Sequence, residues 1–312
     1  MADLLASGII YGSIIALGAI GLTLISSILN FFNFAYGDLF SLGAFITFFF
    51  LGLLGDWGTF FNLSFGWSLV AATLLSILVM LVIVLLIDRF YFKPLRYLGA
   101  PPLFTSLASL GLAFILRAVI NIAWGPEVRY YSNAIQIAKK FSFGIRVKPD
   151  EFFIAVCTFV LVFLVYLFLK KTRTGKAMRA MSDNPVLAKA SGIETGKVIM
   201  WTWIIAGTLI TIAGTFYGIQ VQLRPIMGWH FLIPLFVAVI MGGVGSFWGA
   251  LVGGMVIGIS EEMITGTVQN ILYSLQIDAD MSVYKPAVAF VLVVVILLVR
   301  PHGIFGKKER GT

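Results

Sequence analysis

The sequence is dominated by a series of long apolar stretches that are separated by short polar breaks. Of its 312 residues, 60% are hydrophobic and 12% are charged, whereas a soluble domain carries about twice that charged fraction. Stretches of about 20 apolar residues can cross the hydrocarbon core of a bilayer as helices. Because only helices and closed barrels satisfy their backbone hydrogen bonds in lipid, this pattern predicts an all-α polytopic membrane protein.

The apolar stretches predict about eight to nine transmembrane segments within a single transmembrane domain, residues 1–312. The predicted segments are 4–29, 33–54, 66–87, 101–124, 152–169, 198–219, 231–241, 247–260 and 285–298. The segment 231–241 reaches only about half of the membrane thickness, at ~1.5 Å per residue, and the glycine-rich sequence GGVGS follows it. We therefore expect a short, broken and partly re-entrant helix here, which membranes tolerate where other helices or a water path surround it.

The distribution of basic residues predicts which side of the membrane each loop faces. No Lys or Arg occurs before Arg89, and basic flanks resist translocation, so we expect the N-terminus outside. The loop 170–197 contains seven Lys or Arg residues and is predicted to be cytoplasmic, as is the basic C-terminus. The loop 125–151 is then external. The net charge of +8 is explained by these loops, and we expect no nucleic-acid partner.

The basic loop also carries the signals of a short helix. Asn184 can cap its first turn, Pro185 suits the first helical position, and Gly192 can adopt the left-handed turn that ends it. Apolar side chains gather on one face at helical spacing, namely Val186, Leu187, Ala190 and Ile193. This pattern predicts a small amphipathic helix that offers an apolar surface to a cytoplasmic partner. The alternative is a solvated basic loop that lies on lipid headgroups.

Catalytic, metal and nucleotide motifs are missing from the sequence. Cys157 is the only cysteine, and His230 and His302 are isolated at predicted segment ends. No HExxH, Gly-x-Ser-x-Gly or paired-cysteine pattern occurs. None of the Gly-Lys pairs is followed by Ser or Thr, as a phosphate-binding loop requires. We therefore expect no enzyme activity, no metal, no cofactor and no nucleotide site in this chain.

Polar residues inside the predicted membrane segments are candidates for a transport path, because burying them in lipid is costly. Asn30, Asn33 and Asp38 cluster where the second segment enters the membrane. Capping of a short helix is the alternative for Asn33 and Asp38. Arg117 and Asn121 share a face of the fourth segment, four residues apart. For Arg117 the alternatives are an extended side chain that reaches the headgroups or an ion pair between subunits.

A regular glycine spacing follows the short segment. Gly245, Gly249 and Gly253 repeat every four residues, and Gly254 and Gly258 form an adjacent row. Such a stripe allows two helix backbones to approach closely. It predicts either tight packing alone or a contact that moves when the pore opens.

Six motifs are spread over nearly the whole chain: GSIIALGAIGLTLI (12–25), NFAYGDLFSLGAF (33–45), RFYFKPLR (89–96), TRTGKAMRAMSDNPVLAKASGI (172–193), MGGVGSFWGALVGG (241–254) and RPHGIFG (300–306). Together they resemble those of one family, the permease subunits of ABC importers for branched-chain and related amino acids. The resemblance implies a fold similar to the type II permease core of the ribose and vitamin B12 importers. One departure is Tyr36, where the family often has His, so no protonatable group is carried over to that position.

The resemblance also implies a function and a set of partners. The chain would be half of a two-permease pore in the inner membrane of a prokaryote, moving neutral or branched-chain amino acids inward. Its partners would be a second permease, two cytoplasmic ATPase subunits and an external substrate-binding protein. The residues implied in contact with the ATPase are Arg179, Asp183, Asn184, Pro185, Leu187, Ala188 and Gly192.

Two other readings of the sequence stay open. Within the same family, the cargo could be urea, a short amide or a polar amino acid. Outside it, an ATP-independent secondary transporter or channel would also contain broken helices with polar groups. The segment 185–192 distinguishes these classes, because a self-sufficient transporter needs no docking helix there.

Overall fold

A computed structural model describes residues 1–55, 57–58, 63–132, 139–140, 146–276, 281–300 and 303–305 of the chain. Most of them are helical, which confirms the predicted all-α membrane fold. The loop predicted to be external contains an antiparallel pair of two-residue strands, β1 (Lys139–Lys140) and β2 (Arg146–Val147). His302 and the basic residues of the C-terminus lie outside the described residues.

The helices follow the order of the apolar segments. They are α1 (Ala2–Leu29), α2 (Ala35–Leu54), α3 (Trp67–Ile87), α4 (Lys93–Tyr97), α5 (Pro102–Trp124), α6 (Pro149–Lys171), α7 (Arg173–Asp183), α8 (Pro185–Ala190), α9 (Thr195–Gln220), α10 (Met227–Gly242), α11 (Phe247–Ser274) and α12 (Lys285–Val299). A π-helical turn, Asp88–Phe92, joins α3 to α4, and a 3₁₀ turn, Met281–Tyr284, precedes α12. Seven helices in the described ranges are long and apolar enough to cross a membrane, and α10 and α12 are shorter apolar helices.

Successive apolar helices run in alternating directions across the bundle. Gly8 of α1 lies beside Ile259 of α11. Gly12, one turn further along α1, lies beside Met255, so these two helices are antiparallel. Contacts between the other neighbouring helices give the same alternation. One end of the bundle therefore carries α7 and α8 with the basic residues of 170–197, and we call it the basic end. The chain starts at the opposite end.

The helix α1 forms the centre of the bundle. In its most apolar stretch 94% of the residues are buried, compared with 22% for α3 and for α6. It packs against α9, α10 and α11, and its glycines allow the backbones to meet closely. A helix that is apolar on all sides suits either a buried core or a lipid-facing position. Tertiary contacts place α1 in the core and leave one side of α3 and α6 exposed.

The irregular region is a hairpin of one short and one long helix. The predicted short helix is confirmed as α10, which has 16 residues and contains Pro234. The predicted end of the next segment at residue 260 is wrong, because α11 has 28 residues and continues to Ser274. The polar pair Glu261 and Glu262 suggested an end to the helix. In the structure Glu261 is buried and Glu262 pairs with Lys285 of α12. Both carboxylates therefore belong to the middle of one continuous helix.

Candidate functional site

The basic loop folds into two short helices, α7 and α8, each with a side-chain cap. The Thr172 hydroxyl accepts a hydrogen bond from the Gly175 amide at 2.9 Å. Asn184 Oδ1 accepts from the Val186 and Leu187 amides, both at 3.0 Å. These bonds satisfy backbone donors that have no partner within a helix. The chain after α8 turns at Gly192, whose φ of +81° favours glycine.

The helix α8 presents an apolar surface to solvent. Val186 is 75% exposed and Leu187 is 64% exposed, whereas Ala188 is buried and holds the helix against the bundle. Ile193 follows the helix and is half-buried, so it does not extend this surface. Arg179 and Asp183 are exposed on α7, and Asn184, Pro185 and Gly192 are exposed around α8. The residues singled out in this loop, apart from Ala188, are thus accessible at the basic end.

A groove of about 960 Å³ separates α8 from the short helix α4. Its α4 side contains Lys93, Arg96 and Tyr97. The π-helical turn fixes this side, because Asp88 pairs with Arg96 at 2.8 Å and accepts a hydrogen bond from the Trp203 indole at 2.7 Å. Arg96 belongs to the family motif 89–96, whereas no contact between Asp88 and Trp203 was predicted. The hydrogen bond between these two joins residues 115 positions apart, so no local pattern predicts it.

The buried polar residues of α2 and α5 form an ion pair within the chain. Arg117 donates from Nε and a terminal nitrogen to the two carboxylate oxygens of Asp38, each at 3.0 Å. Asp38 is fully buried, and Arg117 is 17% exposed. The guanidinium also lies over the rings of Trp229 and Phe114, at 5.0 and 5.6 Å. Arg117 therefore neither extends to the headgroups nor depends on another subunit for its counter-charge, and the Asp38 carboxylate is bound by Arg117.

The other predicted path residues lie apart from this pair. Asn30 is exposed and ends α1 with a left-handed φ of 57°. Asn33 is fully buried; its Oδ1 accepts from the Ala35 amide at 3.1 Å, and its Nδ2 has no partner among the described residues. The Asn121 side chain donates to the Arg117 carbonyl at 2.8 Å. The predicted polar cluster is therefore spread over an exposed helix end, a buried turn and an ion pair.

Tyr36 is held by the core rather than by a polar site. Its ring is fully buried, and its hydroxyl donates to the Ala206 carbonyl of α9 at 3.2 Å. A Cβ at Gly21 of α1 would overlap that hydroxyl. The phenol therefore fills the space that the α1 glycine leaves open.

The glycines of the predicted stripe have three different surroundings: α10, α1 and the turn that precedes α11. A Cβ at Gly249 or Gly253 would overlap carbonyl oxygens of α10, and one at Gly254 would overlap the α1 backbone. Gly245 lies before α11, with φ +84°, and its amide donates to the Thr23 hydroxyl at 3.0 Å. The helical stripe thus consists of Gly249 and Gly253, and Gly245 belongs to the turn between α10 and α11.

The alternating apolar helices, the buried ion pair and the exposed apolar helix α8 define a multi-pass helical membrane protein. Residues 4–299 match the family model of the branched-chain amino acid transport system / permease component, and the chain belongs to that family. It is 28% identical to the high-affinity branched-chain amino acid transport system permease protein LivH of Escherichia coli, over 97% of this chain and 94% of LivH. It is also 28% identical to the permease protein BraD of Pseudomonas aeruginosa, over 98% and 95% of the two chains. Among solved structures, PsaBC from Streptococcus pneumoniae in complex with Fab has a TM-score of 0.47 at 15% identity, covering 97% of this chain and 92% of that one.

Proposed function

We propose that this chain is the membrane-spanning subunit of an ABC importer that moves branched-chain or other neutral amino acids into the cytoplasm. ATP hydrolysis belongs to separate subunits. Family membership supports the transport role, and the names of LivH and BraD support the cargo. The observation that carries the coupling role is α8, which exposes Val186 and Leu187 next to a groove at the basic end. An apolar helix in such a position suits insertion into a partner's cleft.

Force applied to α8 would reach the membrane helices through short, rigid connections. Ala188 and Met181 are buried under α8 and α7. Gly175 brings α7 so close to the end of α6 that a Cβ there would overlap the Phe168 carbonyl. On its other side, α8 continues through Gly192 directly into α9. A displacement of α8 therefore acts on α6 and α9 together. We assign to these two helices the movement that switches the pore between outward and inward access.

The path for the amino acid is assigned to the polar residues of α2 and α5. We retain Asn33, Asp38 and Arg117 as its central candidates, with Asn30 and Asn121 at its two ends. Gly245, Gly249 and Gly253 are assigned to the packing that adjusts as the path opens. The path is completed by a second, related permease subunit. An external binding protein would deliver the amino acid to the end opposite α8.

The orientation follows from charge. The basic end is assigned to the cytoplasm, since Lys and Arg concentrate in cytoplasmic loops, and the membrane is the inner membrane of a prokaryote. The start of the chain is then outside and its end inside. This places α8 on the side where ATPase subunits bind.

The test of the coupling role is a single substitution at the exposed apolar surface. Leu187→Asp places a charge on α8 without touching the core, and we expect it to abolish co-purification of the ATPase subunits and ATP-driven uptake. Leu98→Asp is the matched control, because Leu98 is 82% exposed at the same end, beyond α4. Normal co-purification of the Leu187 variant would contradict the proposal.

The alternative classes are distinguished by two further measurements. Uptake against a gradient by the purified chain alone would support a self-sufficient transporter. Competition of labelled leucine uptake by urea, short amides and polar amino acids would reveal a different cargo within the family.

A further inference from the structure

A second polar cluster lies toward the end of the bundle opposite α8. Glu261 of α11 is fully buried, and neither of its carboxylate oxygens has a hydrogen-bond partner in the described part of the chain. Its neighbour Glu262 is different, because it forms an ion pair with Lys285 at the start of α12. An unmatched carboxylate inside a membrane protein is costly and therefore points to a function.

Glu261 contributes to the wall of a cavity of about 360 Å³ between α1, α9, α10, α11 and α12. Aromatic rings form much of this wall. The Phe231 ring lies 6.0 Å from that of Tyr11 and 5.3 Å from that of Tyr217. The volume falls within the range of small-molecule sites, which are mostly apolar with a few placed polar groups. No solvent reaches Glu261 in this structure, so ligand entry includes a side-chain rearrangement at this wall.

The same cavity contains an unmatched positive charge. Arg224 lines it and is exposed, its guanidinium donates to the Gln222 side-chain oxygen at 3.0 and 3.2 Å, and no carboxylate lies within 4.0 Å of it among the described residues. Arg224 and Glu261 line this cavity together with the Tyr217 phenol. With Glu262 and Lys285 paired, the cavity retains one carboxylate and one guanidinium.

We propose that this cavity is a binding site for a free α-amino acid, with its ammonium group toward Glu261 and its carboxylate toward Arg224. A zwitterion matches both charges and leaves the cluster neutral, which an ammonium or a carboxylate alone does not. Guanidinium binds carboxylate through charge-assisted hydrogen bonds. The Tyr11 ring already faces the Lys285 ammonium at 5.2 Å, and the Tyr217 ring is left to favour the ammonium of the ligand. The inference rests on the proposed function and adds to it a binding site on the membrane subunit itself.

The test is ligand binding to the full-length chain in lipid nanodiscs. Binding is measured as the shift of the thermal unfolding midpoint of the chain. The probes are L-leucine, 3-methylbutylamine, which lacks the carboxylate, and 4-methylpentanoate, which lacks the ammonium group. We expect L-leucine to bind most tightly. Glu261→Gln should weaken L-leucine roughly tenfold or more, as expected for a lost hydrogen bond to a charged group. It should leave the binding of 4-methylpentanoate unchanged.

Arg224→Gln provides the reciprocal test at an exposed position where folding is not at risk. It should weaken L-leucine and leave 3-methylbutylamine unchanged. The control Glu127→Gln removes an exposed carboxylate at the same end and should change nothing. The inference is overturned if L-leucine produces no shift in the wild-type chain, or if both cavity variants bind it like the wild type.

Failure of this inference is distinguishable from failure of the proposed function. ATP-driven leucine uptake by the assembled complex, with no binding of L-leucine to the isolated chain, would overturn the cavity site alone. Binding that responds to Glu261 and Arg224 as expected, without ATP-driven uptake of any amino acid, would overturn the importer role alone.

Discussion

Asp38 and Arg117 form a buried ion pair, and removing each of them should lower the free energy of unfolding by a different amount. Removing one partner of a buried ion pair costs about 3–5 kcal/mol, because the other charge stays buried without a counter-charge. Asp38→Leu leaves Arg117, which is 17% exposed and retains its contacts with Trp229 and Phe114. We expect a loss near 3 kcal/mol, at the low end of this range. Arg117→Met leaves the fully buried Asp38, and we expect about 5 kcal/mol, at the high end.

The double variant isolates the pair from the rest of the core. Asp38→Leu with Arg117→Met removes both charges, and replacing a buried pair by apolar residues is often close to neutral. We expect it to recover most of the loss caused by either single variant. The assay is denaturation of the purified chain in mixed micelles, followed by tryptophan fluorescence. The exposed pair Glu127 and Arg129, 3.6 Å apart, is the control, and its removal should cost about 0–1 kcal/mol.

Two outcomes would refute this reasoning. If the double variant were as unstable as the worse single variant, the pair would not be the cause of the loss. If Asp38→Leu and Arg117→Met each cost no more than the exposed control, the site would be hydrated rather than buried. Uptake by Asp38→Asn adds a functional measurement: we expect impaired transport, and unchanged uptake would show that the charge at Asp38 has only a structural role.

Three further predictions concern local packing and capping. Gly249→Ala should destabilise the chain by about 1–3 kcal/mol, since its Cβ would overlap the Gly242 carbonyl; Gly196→Ala, with open space around it, should be close to neutral, and equal unfolding midpoints would contradict the packing argument. Asn184→Ala should cost α8 about 1 kcal/mol, seen as faster hydrogen exchange of its first amides, and unchanged exchange would show that the cap is dispensable. Tyr36→Phe removes the hydrogen bond to Ala206 and should cost about 1 kcal/mol while leaving the pH dependence of uptake unchanged; an altered pH profile would assign Tyr36 a role in proton chemistry.

Local signals in the sequence were sufficient for the helix α8. Asn184, Pro185 and Gly192 occupy the cap, the first position and the terminating turn that were predicted for them. Helix ends depend on hydrogen bonds between residues two to four positions apart, so a short stretch of sequence contains the information. The apolar segments can also be predicted from the sequence, because the bilayer imposes a minimum length on any helix that crosses it.

Signals that depend on distant residues were misread or missed. The two carboxylates of α11 suggested a helix end, yet α11 continues past them, with Glu262 paired to Lys285 of another helix and Glu261 buried. The four-residue glycine repeat suggested one stripe, yet Gly245 lies in a turn and only Gly249 and Gly253 pack against α10. A periodic pattern shows which residues share a helix face only when the helix boundaries are known.

The sequence by itself determined the class of protein, the number of apolar segments, the basic loop and the short capped helix within it. These properties follow from hydropathy, charge and bonds between near neighbours. Only the tertiary structure decided that α1 is the core, that Arg117 neutralises Asp38 and that the Glu261 carboxylate has no hydrogen-bond partner within the described ranges. Each of these depends on which helices meet, and in a chain whose segments are almost uniformly apolar, hydropathy does not distinguish one neighbour from another.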